Sequence, residues 1–174
     1  MILRVPYRKP IIAVALMLSL AAPCFGFQNE PDGFRGIKWG EDISSRDDMD
    51  PHSAGADKTV SYTRNRDEVF LGGVMLSSLI YDYWDGKFSG VFMLFRDADR
   101  FEKIKDICFE RYGKVKMRAR YPEEYAWEGK TAVVFLEYNS IKKSGSMSIG
   151  SVRFLQEKIA YDKAKAKEGA EKGF

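Results

Sequence analysis

Histidine occurs once in the 174 residues, at His52, and cysteine twice, at Cys24 and Cys108. That scarcity removes the usual acid–base side chain near neutral pH, and with it most metal-ligand sets and His-assisted nucleophiles. The sequence has no Gly-x-Ser-x-Gly elbow, no glycine-rich phosphate loop opening a helix and no Cys-x-x-Cys-His haem site. The most apolar stretch, Ile11 to Ala22, has twelve residues and stops at Pro23. A membrane-spanning helix needs roughly 20. Acidic residues are missing from one region: none precedes Glu30, whereas Arg4, Arg8 and Lys9 open the chain. The net charge of +3 belongs to that opening, and the remaining basic residues equal the 25 acidic ones in number. The rest of the chain carries no nucleic-acid footprint.

What stands at the N-terminus reads as an address. A positive start, a short apolar stretch and small residues behind it are the parts of a secretory signal. The preferred cut follows Gly26 and leaves Phe27 first; a cut after Ala22 is the rival. Lipid anchoring at Cys24 is disfavoured, because a lipobox has a small residue where Pro23 stands. The expected organisation is a signal over 1–26, one domain over 27–154 and a Lys/Ala/Glu-rich helix or frayed tail over 155–174. The expected location is the periplasm or the outside. At 45% hydrophobic and 14% aromatic residues, the chain has enough apolar surface for a core and is not a disordered one. With the signal removed, Cys108 stands alone and no intramolecular disulfide can form. Its helical spacing from Phe101, Ile104 and Tyr112 reads it as a small buried hydrophobe.

One hairpin is written twice. Trp84-Asp85-Gly86-Lys87 recurs 43 residues later as Trp127-Glu128-Gly129-Lys130. Asp-Gly between apolar runs signals a two-residue turn with positive φ at both central positions; Glu-Gly signals a looser one. Such a turn puts Tyr83 opposite Phe88, Tyr81 opposite Gly90 and Leu79 opposite Phe92 on a core-facing side. Trp84 with Lys87, Asp82 with Ser89 and Ile80 with Val91 then take the other side. The runs Val91 to Phe95 and Ala132 to Leu136 predict central strands covered on both faces along part of their length.

A short helix is expected over Asp42 to Met49, and a strand over Lys58 to Arg66. The main helix runs from Asp97 to Tyr112 between a capping Asp and Gly113, and a last strand covers Ser146 to Phe154. Gly72-Gly73 reads as a tight turn. The class is α+β: an antiparallel sheet of about six strands in αβββ-αβββ order, with the main helix on one face. The opening segment around Phe34, Ile37 and Trp39, with the start of the C-terminal helix, is expected to cover part of the second face.

Candidate chemistry is thin. Asp47, Asp48, Asp50 and His52 form the nearest approach to a metal cluster, but Thr59 stands where an EF-hand needs its bidentate Glu, and the segment reads as a solvated acidic loop. Glu123, Glu124, Glu128, Asp82 and Asp85 are the candidates for paired-carboxylate catalysis. Lys114, Lys116, Arg118 and Arg120 alternate with apolar residues as in a protected sheet edge. No catalytic, cofactor or metal residue is assigned.

Phe34-Arg-Gly-Ile-Lys-Trp39-Gly40, the helix exit Arg111-Tyr112-Gly113-Lys114 and Trp127-Glu-Gly-Lys-Thr131 together resemble small exported bacterial proteins of unknown function. Those proteins share an F-x-G-x-x-W-G opening. The resemblance spans Gly33 to Phe154 and implies export and fold class, with no activity. Two functions follow. The first is a non-catalytic envelope binding protein with a protein partner, its interaction surface at Trp84 and Trp127, since Trp is enriched among residues that carry binding energy. The alternative is a small carboxylate-based hydrolase or ligand-handling enzyme. Oligomeric state and the partner's identity are not legible.

Overall fold

Antiparallel pairing organises the residues that the computed structural model describes, 27–55 and 57–173. The expected signal segment lies outside them. A small hairpin of β1 (Gly33–Phe34) and β2 (Ile37–Lys38) leads through a 3-10 turn at Ile43–Ser45 to β3 (Met49–Ala54) and β4 (Thr59–Arg64). A second small hairpin, β5 (Phe70–Leu71) and β6 (Val74–Met75), precedes the long strands β7 (Ser78–Trp84) and β8 (Lys87–Arg96). Helix α1 (Ala98–Tyr112) follows. Then come β9 (Ala119–Arg120), β10 (Glu123–Glu128), β11 (Ala132–Asn139), β12 (Ser144–Ser151) and helix α2 (Val152–Gly173).

The main sheet has eight strands, in the order β3-β4-β7-β8-β12-β11-β10-β9. The class is α+β as expected, but the sheet is wider than six strands because two edge strands are hard to read. Strand β3 carries Pro51 and bulges between Pro51 and Ser53. A proline tolerated at an edge, where no ladder N–H is needed, looks like a loop residue in sequence. Strand β9 is two residues long. The helix expected over Asp42 to Met49 is only a 3-10 turn, with Asp42 accepting from the Ser44 amide at 2.8 Å. Two three-strand meanders, β4-β7-β8 and β10-β11-β12, each run directly into a helix and join through β8 and β12. The repeated Trp-acidic-Gly-Lys turn links second to third strand in one meander and first to second in the other. The two matching hairpins therefore occupy inequivalent places.

The core lies on one face. Tyr81, Tyr83, Phe88, Met93, Leu136 and Met147 meet Phe101, Ile104, Cys108 and Tyr112 of α1. Each large side chain taken fully out of water there contributes on the order of 2 kcal/mol. The helix starts where Asp97 accepts from the Arg100 amide at 2.9 Å and ends at Gly113, φ 87°. The opening segment packs on this same face, not on the second. Trp39 stacks on Phe88 at 5.1 Å and Phe34 lies against Tyr81 at 6.0 Å. The second face is left to α2.

The first hairpin follows its expected register for two pairs and then departs from it. Tyr83 faces Phe88 and Trp84 faces Lys87, but Asp82 faces Gly90, Tyr81 faces Val91 and Leu79 faces Met93. Ser89 is an extra residue in β8, and its hydroxyl donates to the Asp82 carbonyl at 2.9 Å. This bulge exchanges the faces of everything beyond it. Val91, Met93 and Phe95 go into the core, while Phe92 and Leu94 turn to the second face. The expectation that Phe92 faces the core is corrected accordingly.

Candidate functional site

The second face is half covered. Helix α2 begins directly after β12 and crosses the end of the sheet that carries the Trp84–Lys87 turn. Its Phe154, Lys158 and Tyr161 stand at helical spacing on the stripe toward the sheet. Phe154 is buried, Tyr161 packs edge to face on Trp84 at 5.4 Å, and Lys158 reaches Asp57 at 2.6 Å and the Thr59 hydroxyl at 3.1 Å. The Lys158 ammonium holds the Asp57 carboxyl at about 2, against its burial. Beyond Tyr161 the helix turns to Lys, Ala and Glu, and no apolar stripe remains to hold it to the sheet.

The other half of this face is open. Phe92 and Leu94, on a central strand, are 37% and 39% exposed. Ile80 and Phe135 beside them are half-buried. Leu155 and Ile159, on the neighbouring stripe of α2, are exposed too. On the far side Glu124 and Glu137 stand directly opposite each other, with the Ser146 hydroxyl donating to Glu137 at 2.9 Å. The arrangement is an apolar floor with an acidic rim. The expected double cover of β8 is absent over this half.

Neither tryptophan named from the sequence lies on that surface. Trp84 is 5% exposed, beneath Tyr161 and Lys158. Trp127 is 1% exposed on the opposite, core face, among Phe109, Tyr112 and Tyr125. Its ring N–H donates to the Gly113 carbonyl at 2.7 Å, tying the end of α1 to β10. Both indoles are structural cement, and the residues that replace them on the open face are aliphatic or Phe. Sequence alone puts Ile80 on this face but Phe92 on the other, because the Ser89 bulge has no compositional mark. Phe27, expected as the first residue after cleavage, packs edge to face on Tyr112 at 5.3 Å.

The candidate carboxylates are dispersed. Asp85 pairs with Lys58 at 2.9 Å, Glu128 with Arg118 at 2.8 Å, and Glu123 accepts from the Tyr125 hydroxyl at 2.7 Å. Asp82 differs. Burial raises its pKa, against a hydrogen bond from the Ser61 hydroxyl at 2.6 Å. It lines a cavity of about 210 Å³ under α2, floored by Gly90 and Gly150 on paired strands and walled by Trp84 and Phe154. Sequence reasoning names Asp82 but has no signal for its burial.

His52 is exposed on edge strand β3. Asp48 is taken up by Arg46 at 2.6 Å and Arg64 at 2.7 Å, and the two guanidiniums hold its carboxyl at about 2. Among the described residues, no three His, Cys, Asp or Glu side chains converge as a metal site requires. The Cys108 Sγ lies 3.8 Å from the Met147 Sδ, and burial pushes its thiol up to about 12. The basic run from Lys114 ends in edge strand β9, where the Arg118 amide donates to the Glu124 carbonyl at 2.8 Å. Glu30 has no counterpart in the sequence reading. Its carboxylate accepts from the Thr131 amide and hydroxyl and from the Ala132 amide, so the N-terminal segment closes the second turn.

Among the described residues no helix is long and apolar enough to cross a membrane. Comparison with family models, curated proteins and solved structures finds no match to this chain.

Proposed function

We propose that this is an exported envelope protein, periplasmic or secreted, that works by binding another protein on the open half of its second sheet face. The observation that carries the reading is the exposure of Phe92 and Leu94 at the centre of the sheet, flanked by Leu155 and Ile159. Contiguous apolar surface rimmed by polar groups is characteristic of contact sites. The occupant is an apolar segment bearing a basic residue, because Glu124 and Glu137 face each other across strands and like charges so placed call for a cation. The N-terminal address supports export. Three of the reactive side chains are engaged elsewhere: the Cys108 thiol is held protonated in the core, and Asp48 and Asp57 are held by cations.

The test is a photo-cross-linking residue at Leu94 in intact cells, with Lys103 on α1 as the control position. A protein adduct at Leu94 that is lost with Glu124→Lys supports the reading. Equal adducts at both positions, or none at Leu94, count against it. Cell fractionation tests the address separately. The cavity at Asp82 favours a second reading, a ligand-handling or carboxylate-based hydrolytic enzyme. A small ligand whose binding is lost in Asp82→Asn while Leu94 adducts persist would favour that alternative.

A further inference from the structure

On the core side, away from the face just described, a separate cavity of about 320 Å³ opens between α1, the β1–β2 hairpin and the β5–β6 hairpin. Its inner wall is Cys108, Met147 and Ile149, all essentially inaccessible to solvent, continued outward by Ile107, Leu71 and Phe34. Its outer wall is Arg35 and Arg111. Each guanidinium lies over a ring that lines the same cavity: Arg35 over Phe34 at 5.4 Å and Arg111 over Tyr112 at 5.7 Å. The cavity thus runs from two cations at the surface to fully apolar core.

The charges at the mouth do not cancel. Arg35 is paired with Asp67 and also donates to the Glu68 and Phe70 carbonyls. Arg111 forms no ion pair among the described residues, so the mouth keeps one positive charge in excess. The inner end offers no charge in return, since burial keeps the Cys108 thiol protonated. Beside the mouth, the β5–β6 hairpin and its approach expose Val69, Phe70 and Met75. An apolar tunnel with a cationic mouth and an apolar lip matches a molecule with a tail and an anionic head.

We propose that this cavity binds a single-chain anionic amphiphile, its alkyl tail running to Met147 and Cys108 and its carboxylate or phosphate at Arg111. The head is recognised by a charge-assisted hydrogen bond from a guanidinium already oriented over Tyr112. The tail is recognised by area removed from water. A neutral or cationic head on the same tail forfeits the first contribution.

The probes are decanoate, decanol and decyltrimethylammonium, titrated below their micelle concentrations against the purified protein. Decanoate should bind about tenfold or more tighter than decanol, with decyltrimethylammonium weakest, as one charge-assisted contact implies. Arg111→Gln, at an exposed position, should abolish that order while the protein keeps a cooperative thermal transition. A second measurement needs no variant: a tail-end spin-labelled fatty acid should broaden the Met147 methyl resonance before that of Met117, which is exposed and lies away from the cavity. Equal affinity for all three probes, no decanoate binding, or broadening at Met117 first would overturn the proposal. Vesicles of anionic phospholipid doped with a spin-labelled, single-chain anionic lysophospholipid distinguish the source. Broadening of Met147 by vesicles identifies a bilayer lipid as the ligand and supports the cavity. Sedimentation with vesicles while Met147 stays sharp in every titration means surface adsorption and overturns it.

Discussion

Trp84 and Tyr161 meet edge to face, centroids 5.4 Å apart at 79°, and this contact joins α2 to a sheet it otherwise touches lightly. Such a pair is worth about 0.5–1.5 kcal/mol beyond the area it covers. Tyr161→Ala should red-shift part of the tryptophan emission and raise amide exchange in α2 while exchange in β8 and β12 stays slow. Unchanged exchange in α2 would show that Phe154 and Lys158 suffice.

The two repeated turns should answer the same substitution for different reasons. Asp85 and Gly86 have φ of 52° and 76°, so Gly86→Ala forces a side chain into the left-handed region and should cost about 1 kcal/mol. Gly129 does not have positive φ, but a Cβ there would collide with the Glu30 carboxylate. Gly129→Ala should therefore lose its effect in a Glu30→Ala background, whereas Gly86→Ala should cost the same in both. Denaturant midpoints for the two cycles decide the matter. Additivity at Gly129 would show that the cost there does not come from the Glu30 carboxylate.

Asp82 and Asp57 flank α2 and respond to pH with opposite signs. Burial raises the folded-state pKa of Asp82, so its ionised form opposes folding at neutral pH. That penalty fades as pH falls through the raised value to the unfolded one, about 3.9. Asp82→Asn should raise Tm at pH 7 and give no gain near pH 3. Asp57 is held at about 2 by Lys158, so its contribution is present above about 3.9 and is lost as pH falls toward 2. Lys158→Met should reduce that acid sensitivity, leaving the part held by the Thr59 amide at 2.8 Å. A Tm difference for Asp82→Asn that does not change with pH would refute the assignment.

The Tyr83 ring is fully buried, and its hydroxyl has no hydrogen-bond partner among the described residues; burial raises its pKa to about 12. An unsatisfied buried hydroxyl costs about 1–3 kcal/mol. Tyr83→Phe should stabilise the protein, as a higher denaturant midpoint with unchanged slope. A lower midpoint would mean that the hydroxyl is satisfied in solution.

Features written in local chemistry are legible in this sequence. Asp97 and Gly113 bracket α1, Asp85-Gly86 makes its turn, and the spacing of Phe101, Ile104, Cys108 and Tyr112 marks the buried stripe. Features that depend on position in the sheet are not. Pro51 reads as a loop until an edge removes the need for its N–H, and β9 is too short to show a pattern. The open face escapes for a related reason: its Phe92 and Leu94 alternate with Met93 and Phe95 in one unbroken apolar run, which carries no mark of inside or outside. Trp84 and Trp127 draw attention through residue type, yet one stabilises a helix on the sheet and the other anchors a helix end.

Ser89 adds one residue in the middle of a molecule whose two sides differ in kind. Deleting it would leave the composition of β8 almost untouched and both neighbouring strands intact. It would also send Phe92 and Leu94 inward and present Val91, Met93 and Phe95 to the solvent, turning the strand inside out. Insertions and deletions are ordinarily absorbed by loops. Here a length change of a single residue in a central strand decides which side chains the open face presents.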